Sequence, residues 1–280
     1  MIIRDNSIET REVFIENSLD IGGENNLFKQ SLFFDLEHYV YKKPICVGVF
    51  GCCYYDEDKS SLKVTQYMIE SKKEIKSILI MARSYFENMA NNMGKKYIVT
   101  FSGNNDFHVI KYLFNKYKIN FDFDEFFTEI DLQKVYEKEI KDNIGLKALE
   151  KKFGIVREGE LISGSNLAKT FSKIVKDRDY INRMPSEKIE KILLYNEQDV
   201  VNLFHIYTNW NTLKIEEDEL EENNKEVDTS NEEEEIIEKT YEEDKVKKLE
   251  VLQKENEENI KEVNNDLQYK YIIEEKAAQD

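Results

Sequence analysis

The chain has 280 residues and a formal net charge of −17, and that charge is concentrated at one end. Residues 214–280 hold 25 acids against 10 bases, which leaves 32 acids and 30 bases in residues 1–213. A near-neutral body, long enough for one large domain with a sizeable core, therefore precedes an acidic tail; no apolar run approaches the length of a membrane span, and no secretory leader is expected at the N-terminus.

Residues 1–28 are polar apart from residues 13–15 and read as an N-terminal arm. The first strong elements are two strands at 31–36 (Ser-Leu-Phe-Phe-Asp-Leu) and 45–55, rich in β-branched and aromatic residues, with Lys42, Lys43 and Pro44 as a breaker between them. Cys46, Cys52 and Cys53 all lie in the second strand, are odd in number and lack Cys-x-x-Cys spacing. They are expected to be reduced, buried thiols of a cytoplasmic protein. A third strand at 61–69 completes an antiparallel meander. The period then changes. Ile75, Ile78, Leu79, Ala82, Phe86 and Met89 recur at steps of three and four and predict a helix over 73–92 that ends at Gly94. A short strand at 97–101, a turn through Ser102, Gly103, Asn104 and Asn105, and a helix to about Tyr117 follow. Further helices are predicted at 131–141, 145–153, 166–177 and 187–208, the last introduced by Pro185 and Ser186. The succession describes an α/β protein: a mixed sheet flanked by helices. Three segments result: an arm at 1–28, a domain at 29–213 and a low-complexity tail at 214–280, helical or disordered.

Three acidic elements stand where they can carry chemistry. Asp35 and Glu37 end the first strand, and the period of two sends both to one side of the sheet while Phe34 and Leu36 point to the other. An aspartate within Leu-Phe-Phe-Asp-Leu is costly to bury as an ion without a compensating positive charge; the plainer role is to end the strand and cap a turn. Asp106 lies within about 40° of Ile110, Leu113 and Tyr117 on its helix, and so faces the sheet, whereas His108 falls on the polar side with Lys111. An N-terminal cap is the simpler account of Asn104, Asn105 and Asp106. Tyr195 and Asp199, four residues apart, share one side of the last helix beside the stripe of Ile189, Ile192, Val200 and Leu203.

Together these elements resemble the ribonuclease H-like superfamily of DEDD exonucleases, and most closely the YprB-like predicted exonucleases. That group has Asp-x-Glu on its first strand, matched by Asp35 and Glu37. Its second motif is an aspartate opening the helix after the fourth strand, matched by residues 101–108, and its third is Tyr-x-x-x-Asp, matched by Tyr195 and Asp199. The likeness extends through Ile144-Gly145-Leu146-Lys147-Ala148-Leu149-Glu150 and Gly154-Ile155-Val156-Arg157-Glu158, and covers roughly residues 31–208. One segment departs from the pattern. The second motif usually runs Asn-Gly-x-x-Phe-Asp, and aligning Phe107 with its phenylalanine puts His108 at the metal position; the helical face favours Asp106 instead.

The resemblance implies a ribonuclease H-like fold and a 3′ to 5′ exonuclease acting on DNA or RNA, with single-stranded nucleic acid as its partner. It implies two Mg²⁺ or Mn²⁺ ions held by Asp35, Glu37, Asp106 and Asp199, with Tyr195 orienting the attacking water. Hard, oxygen-liganded cations suit carboxylates, and paired ions activate the nucleophile and stabilise the leaving oxygen of a phosphodiester. Asp131 also matches an Asp-Leu pair of the family, but reads first as a helix cap. Lys169, Lys173, Lys176, Arg178 and Arg183, with Arg157, form a basic stretch that contacts phosphates or simply solvates a helix face. Two other readings remain open: a phosphohydrolase of the haloacid dehalogenase type, disfavoured because a strand rather than a helix follows Asp35, and an inactive nuclease-like module that binds nucleic acid or protein.

Overall fold

The computed structural model describes residues 1–159 and 162–213; the tail predicted at 214–280 lies outside them. The strands are β1 (Ile2–Glu9), β2 (Ser31–Tyr41), β3 (Lys43–Asp56), β4 (Ser61–Met68), β5 (Tyr97–Thr100) and β6 (Thr128–Asp131). The helices are α1 (Ile75–Asn91), α2 (Asn104–Lys116), α3 (Phe123–Phe126), α4 (Leu132–Ile140), α5 (Leu146–Lys152), α6 (Gly164–Lys176), α7 (Tyr180–Arg183) and α8 (Ser186–Thr208). No described helix is long and apolar enough to cross a membrane.

One mixed sheet runs in the order β1-β4-β3-β2-β5-β6. Its first four strands pair antiparallel, and β5 and β6 join parallel to β2. The predicted meander is therefore present, but both of its first strands are longer than their apolar runs. They continue into a hairpin that turns at Lys42, whose φ of 59° is left-handed. The alternation along β2 divides the core in two. Leu32, Phe34 and Leu36 point into a cluster beneath α1, α2 and α6, while Phe33 points into a second cluster beneath α4, α5 and α8. Phe34 meets Phe86 edge to face at 5.4 Å between ring centroids, and Phe33 meets Phe204 at the same distance. Each buried ring contributes about 1.5–3 kcal/mol, so β2 is fixed on both faces. A one-residue slip would exchange them.

Two strands were not expected. β1 lies in the predicted arm and pairs along its whole length with β4 as an edge strand. Only Ile2, Arg4 and Ile8 of β1 are half-buried and the rest is exposed, so its sequence carries little apolar alternation. Its N-terminal amine is held by Glu70 and Glu74. β6 is four residues long and gains its identity from parallel pairing with β5. Asp131, its last residue, also caps α4: its carboxylate accepts the Gln133 amide at 3.1 Å and the Ser102 amide at 2.9 Å. The cap role read from the sequence holds. The three cysteines are free and buried, and burial pushes the thiols of Cys46 and Cys52 up to about 12.

The register of β2 against β3 shifts immediately after Glu37, which faces Val49 while His38 faces Val47. Gly48 is the extra residue of this bulge, a device that re-aims side chains beside functional sites. The Phe171 ring of α6 lies so close that a Cβ on Gly48 would sit 2.4 Å from it. Gly48→Ala should therefore overpack this junction and lower stability by about 1–3 kcal/mol, measured by denaturant unfolding against the parent protein; an unchanged midpoint would show that α6 can move away freely.

Candidate active site

The direction of β2, set by its buried phenylalanines, sends Asp35 and Glu37 to the face that α8 covers. α8 runs across this face, and its apolar stripe brings Asn196 and Asp199 inward with Leu193, Val200 and Leu203. α2 starts just beyond the end of β5 and carries Asp106 in its first turn. Asp35, Glu37 and Asp199 each place an oxygen within 4.8 Å of the other two. Asp106 is not within that set, but it is buried, it feels the charges of Asp35 and Asp199, and it lies 3.7 Å from His38 Nε2. His108 is exposed and stacks on Tyr112 at 6.5 Å. Of the two residues the second motif offers, Asp106 faces the other carboxylates.

Tyr195 is half-buried at the rim. Its ring centre is 5.1 Å from Lys147 Nζ and 5.1 Å from the Arg157 guanidinium carbon. Burial first, and then the charges of Asp199 and Glu37, raise its phenol above the ordinary tyrosine range. It is thus a neutral hydroxyl at physiological pH.

Sequence reasoning missed the residues that hold these groups in place. Asn196, fully buried, donates to Asp35 Oδ2 at 3.0 Å and accepts from Gln66 Nε2 at 2.8 Å. Gly51 leaves room for that amide, since a Cβ there would meet Asn196 Oδ1 at 2.1 Å. A signal for Asn196 was present: it falls on the apolar stripe of α8, where a polar side chain is out of place without a partner. Arg157 gave a misleading signal. It is not part of a phosphate-facing basic patch with Lys169 and Lys173, because its side chain is only 6% exposed and is bound on both sides by acids. It makes two hydrogen bonds to Glu150, at 2.7 and 2.5 Å, and one to Asp199. Asn202 Nδ2 adds a 2.9 Å bond to Glu150. No spacing rule links residues 150, 157, 199 and 202.

The electrostatics are dominated by burial. It pushes Asp35 up to about 6 despite the Asn196 hydrogen bond, and Asp199 up to about 8 with help from the Asp35 charge and against Arg157. Glu37 and Asp106 are raised well above the carboxylate range by burial and then by the neighbouring carboxylates. Two like charges about 4.8 Å apart repel by about 3.5 kcal/mol at an effective dielectric of 20, so the cluster needs positive charge to ionise fully. Arg157 supplies one. His38 adds none, because burial lowers its pKa. The site is a convergence of buried oxygen donors without sulfur, and it fits hard divalent cations.

The family model of the RNase H superfamily matches residues 32–211, an interval that contains all of these groups. The chain belongs to the RNase H superfamily. Nucleases of this superfamily typically use divalent metals, and membership implies a nucleic-acid substrate. The RNase H-like sheet, flanked by helices, is the fold expected from the sequence. No curated protein matches the chain.

The raised carboxylates make a pH prediction for this RNase H superfamily member. Their folded pKa values exceed the unfolded value of 3.8 for aspartate, so the folded state binds more protons. The stability is fully present below about pH 4 and is lost as pH rises through 6 and 8. Thermal unfolding in chelator should show a midpoint that falls from pH 5 to pH 8, and Mn²⁺ should flatten the trend by replacing the protons; a level profile in chelator would contradict the burial of these acids. Arg157→Met should cost up to about 3–5 kcal/mol near pH 8, because it leaves Glu150 and Asp199 buried without their counter-charge. The loss should shrink at pH 5, where Asp199 takes up a proton; a pH-independent loss would instead point to packing alone.

Proposed function

We propose that this chain is a metal-dependent 3′ to 5′ exonuclease of the DEDD type, tyrosine branch, close to the YprB-like group and acting in the cytoplasm on single-stranded DNA or RNA. The observation that carries the reading is the convergence of Asp35, Glu37 and Asp199 in one set, of which Glu37 and Asp199 are buried and Asp35 half-buried, with Asp106 facing it and Tyr195 at its rim. The Asp-x-Glu, Asp and Tyr-x-x-x-Asp elements are the three that the resemblance requires. The exposure of His108 also speaks against the inactive module, which depended on a histidine taking the place of the second-motif acid.

In this reading Asp35, Glu37, Asp106 and Asp199 would hold two Mg²⁺ or Mn²⁺ ions. When bound, such ions would activate the attacking water near neutral pH and supply charge stabilisation at the leaving oxygen. The chain's own groups do the rest. Asn196 fixes the orientation of Asp35 through one hydrogen bond, and Arg157 fixes Asp199 through another. Tyr195, neutral and aimed at the cluster by its place one turn before Asp199, orients the attacking water without taking its proton. The helices packed over the sheet limit the water that reaches the acids, which strengthens every interaction between charges there.

The test is hydrolysis of end-labelled single strands with Mg²⁺ or Mn²⁺, resolved by product length. A ladder that shortens from the 3′ end is expected. Asp35→Ala and Asp106→Ala should each lower kcat more than about 100-fold, equivalent to about 2.7 kcal/mol of transition-state stabilisation, while His108→Ala stays within about threefold. Equal turnover by the parent and Asp35→Ala, or loss on His108→Ala alone, would reject this assignment.

A further inference from the structure

Several cations of the described surface are paired with neighbouring acids. Arg4 pairs with Glu190, Lys29 with Glu57, Arg83 with Glu87, Lys111 with Asp124, Lys134 with Asp131, and Arg183 with Asp177. One region differs. A cavity of about 520 Å³ between α6 and the start of α8 is lined by Lys169, Lys173, Lys188 and Lys191, with Glu187 as its acid. Among the described residues no carboxylate lies within ion-pair distance of Lys169, Lys173 or Lys188; Lys173 only faces the Tyr180 ring at 5.6 Å. Lys169 and Lys173 are exposed and Lys188 is half-buried.

The cavity lies beside residues at the rim of the site. A smaller pocket lined by Arg157, Lys191, Tyr195 and Gln198 shares Lys191 with it. The helix geometry gives the same path. Lys188, Lys191, Tyr195 and Asp199 follow one another at steps of three, four and four, which keeps them on one face of α8. From Asp199 back to Lys188 is eleven residues, about 16 Å along the axis. That length is no more than about five nucleotides at the 3.4 Å spacing of a stacked strand.

We propose that the groove between α6 and α8 is the track along which a single nucleic-acid strand leaves the carboxylate cluster, its backbone phosphates held by Lys169, Lys173 and Lys188. The inference rests on the nuclease reading for the direction in which the strand runs, though not for the binding itself. The lysines are flexible point charges that suit phosphates and read no base edges, so the track is indifferent to sequence and serves DNA and RNA alike. It also resolves a conflict of charge. A protein with a net charge of −17 repels a polyanion at long range, and a local strip of uncompensated cations is what allows a strand to approach the acids.

The experiment uses the full chain in chelator, with fluorescently labelled 12-nucleotide single strands of DNA and of RNA, read by anisotropy across a salt series. The triple variant Lys169→Glu, Lys173→Glu, Lys188→Glu should bind both strands at least tenfold more weakly at low salt. Its slope of log affinity against log salt should be shallower by about 2, at about 0.7 for each phosphate no longer neutralised. A glutamine set at the same positions should give a smaller loss of the same kind, and it replaces the glutamate set if that protein fails to fold. Lys76→Glu, Lys138→Glu and Lys151→Glu, an equal change of charge elsewhere, should stay within about twofold. Cleavage of a dinucleotide with Mn²⁺, too short to reach the lysines, should be unchanged in the triple variant. Affinity and salt slope equal to the parent's, or equal losses from the distant set, would overturn the track. A parent that binds in a lysine-dependent way but cleaves nothing would leave the track standing and remove the nuclease reading.

Discussion

Burying several carboxylates in one place is the constraint on which the rest of this structure depends. Asp35, Glu37 and Asp199 lie within 4.8 Å of one another, and Asp106 faces them. In an apolar interior such a set is unstable as ions and reverts to the protonated form. The fold answers with a small number of fixed donors. Arg157 bridges Glu150 and Asp199, and Asn196 ties Asp35 to Gln66. These groups compensate the cluster only in part, and a bound cation would offset the remaining deficit of positive charge.

The same compromise accounts for several features of the scaffold. Gly51 has no side chain because the Asn196 amide occupies the space above it. The bulge at Gly48 follows Glu37 directly and lets α6 come down onto the sheet through Phe171. α8 is long because it has two duties: its inner face closes one half of the core through Val200, Leu203, Phe204 and Tyr207, and it carries Asp199 into the carboxylate cluster with Tyr195 at the rim. Stability and chemistry therefore share a helix, and a substitution on α8 is expected to move both.

Charge is also divided by region. The acids of the site are drawn inward, while Lys169, Lys173 and Lys188 line the groove between α6 and α8. A net charge of −17 averages over these regions and over residues 214–280. For a polyanionic substrate the local field near the groove matters more than the sum, because screening confines it to about 10 Å at ordinary salt.

By itself the sequence determined the elements whose periodicity is strong: the meander, α1, α2 and α8, and with them the faces on which Asp35, Glu37, Asp106 and Asp199 stand. Alternation and the 3.6-residue repeat are local properties, so they are legible without a partner. β1 and β6 were not legible, since an exposed edge strand and a four-residue parallel strand acquire their pairing from neighbours distant in the chain. The choice of Asp106 over His108 could be argued from one helix, whereas the distance from its carboxylate to the others needed β5 and β2 side by side. Arg157 is the clearest case of what only the tertiary structure decided. In sequence it sits near other basic residues, and in the fold it turns inward to two acids, 7 and 42 residues away, because the buried carboxylates lack a counter-charge that no local pattern supplies.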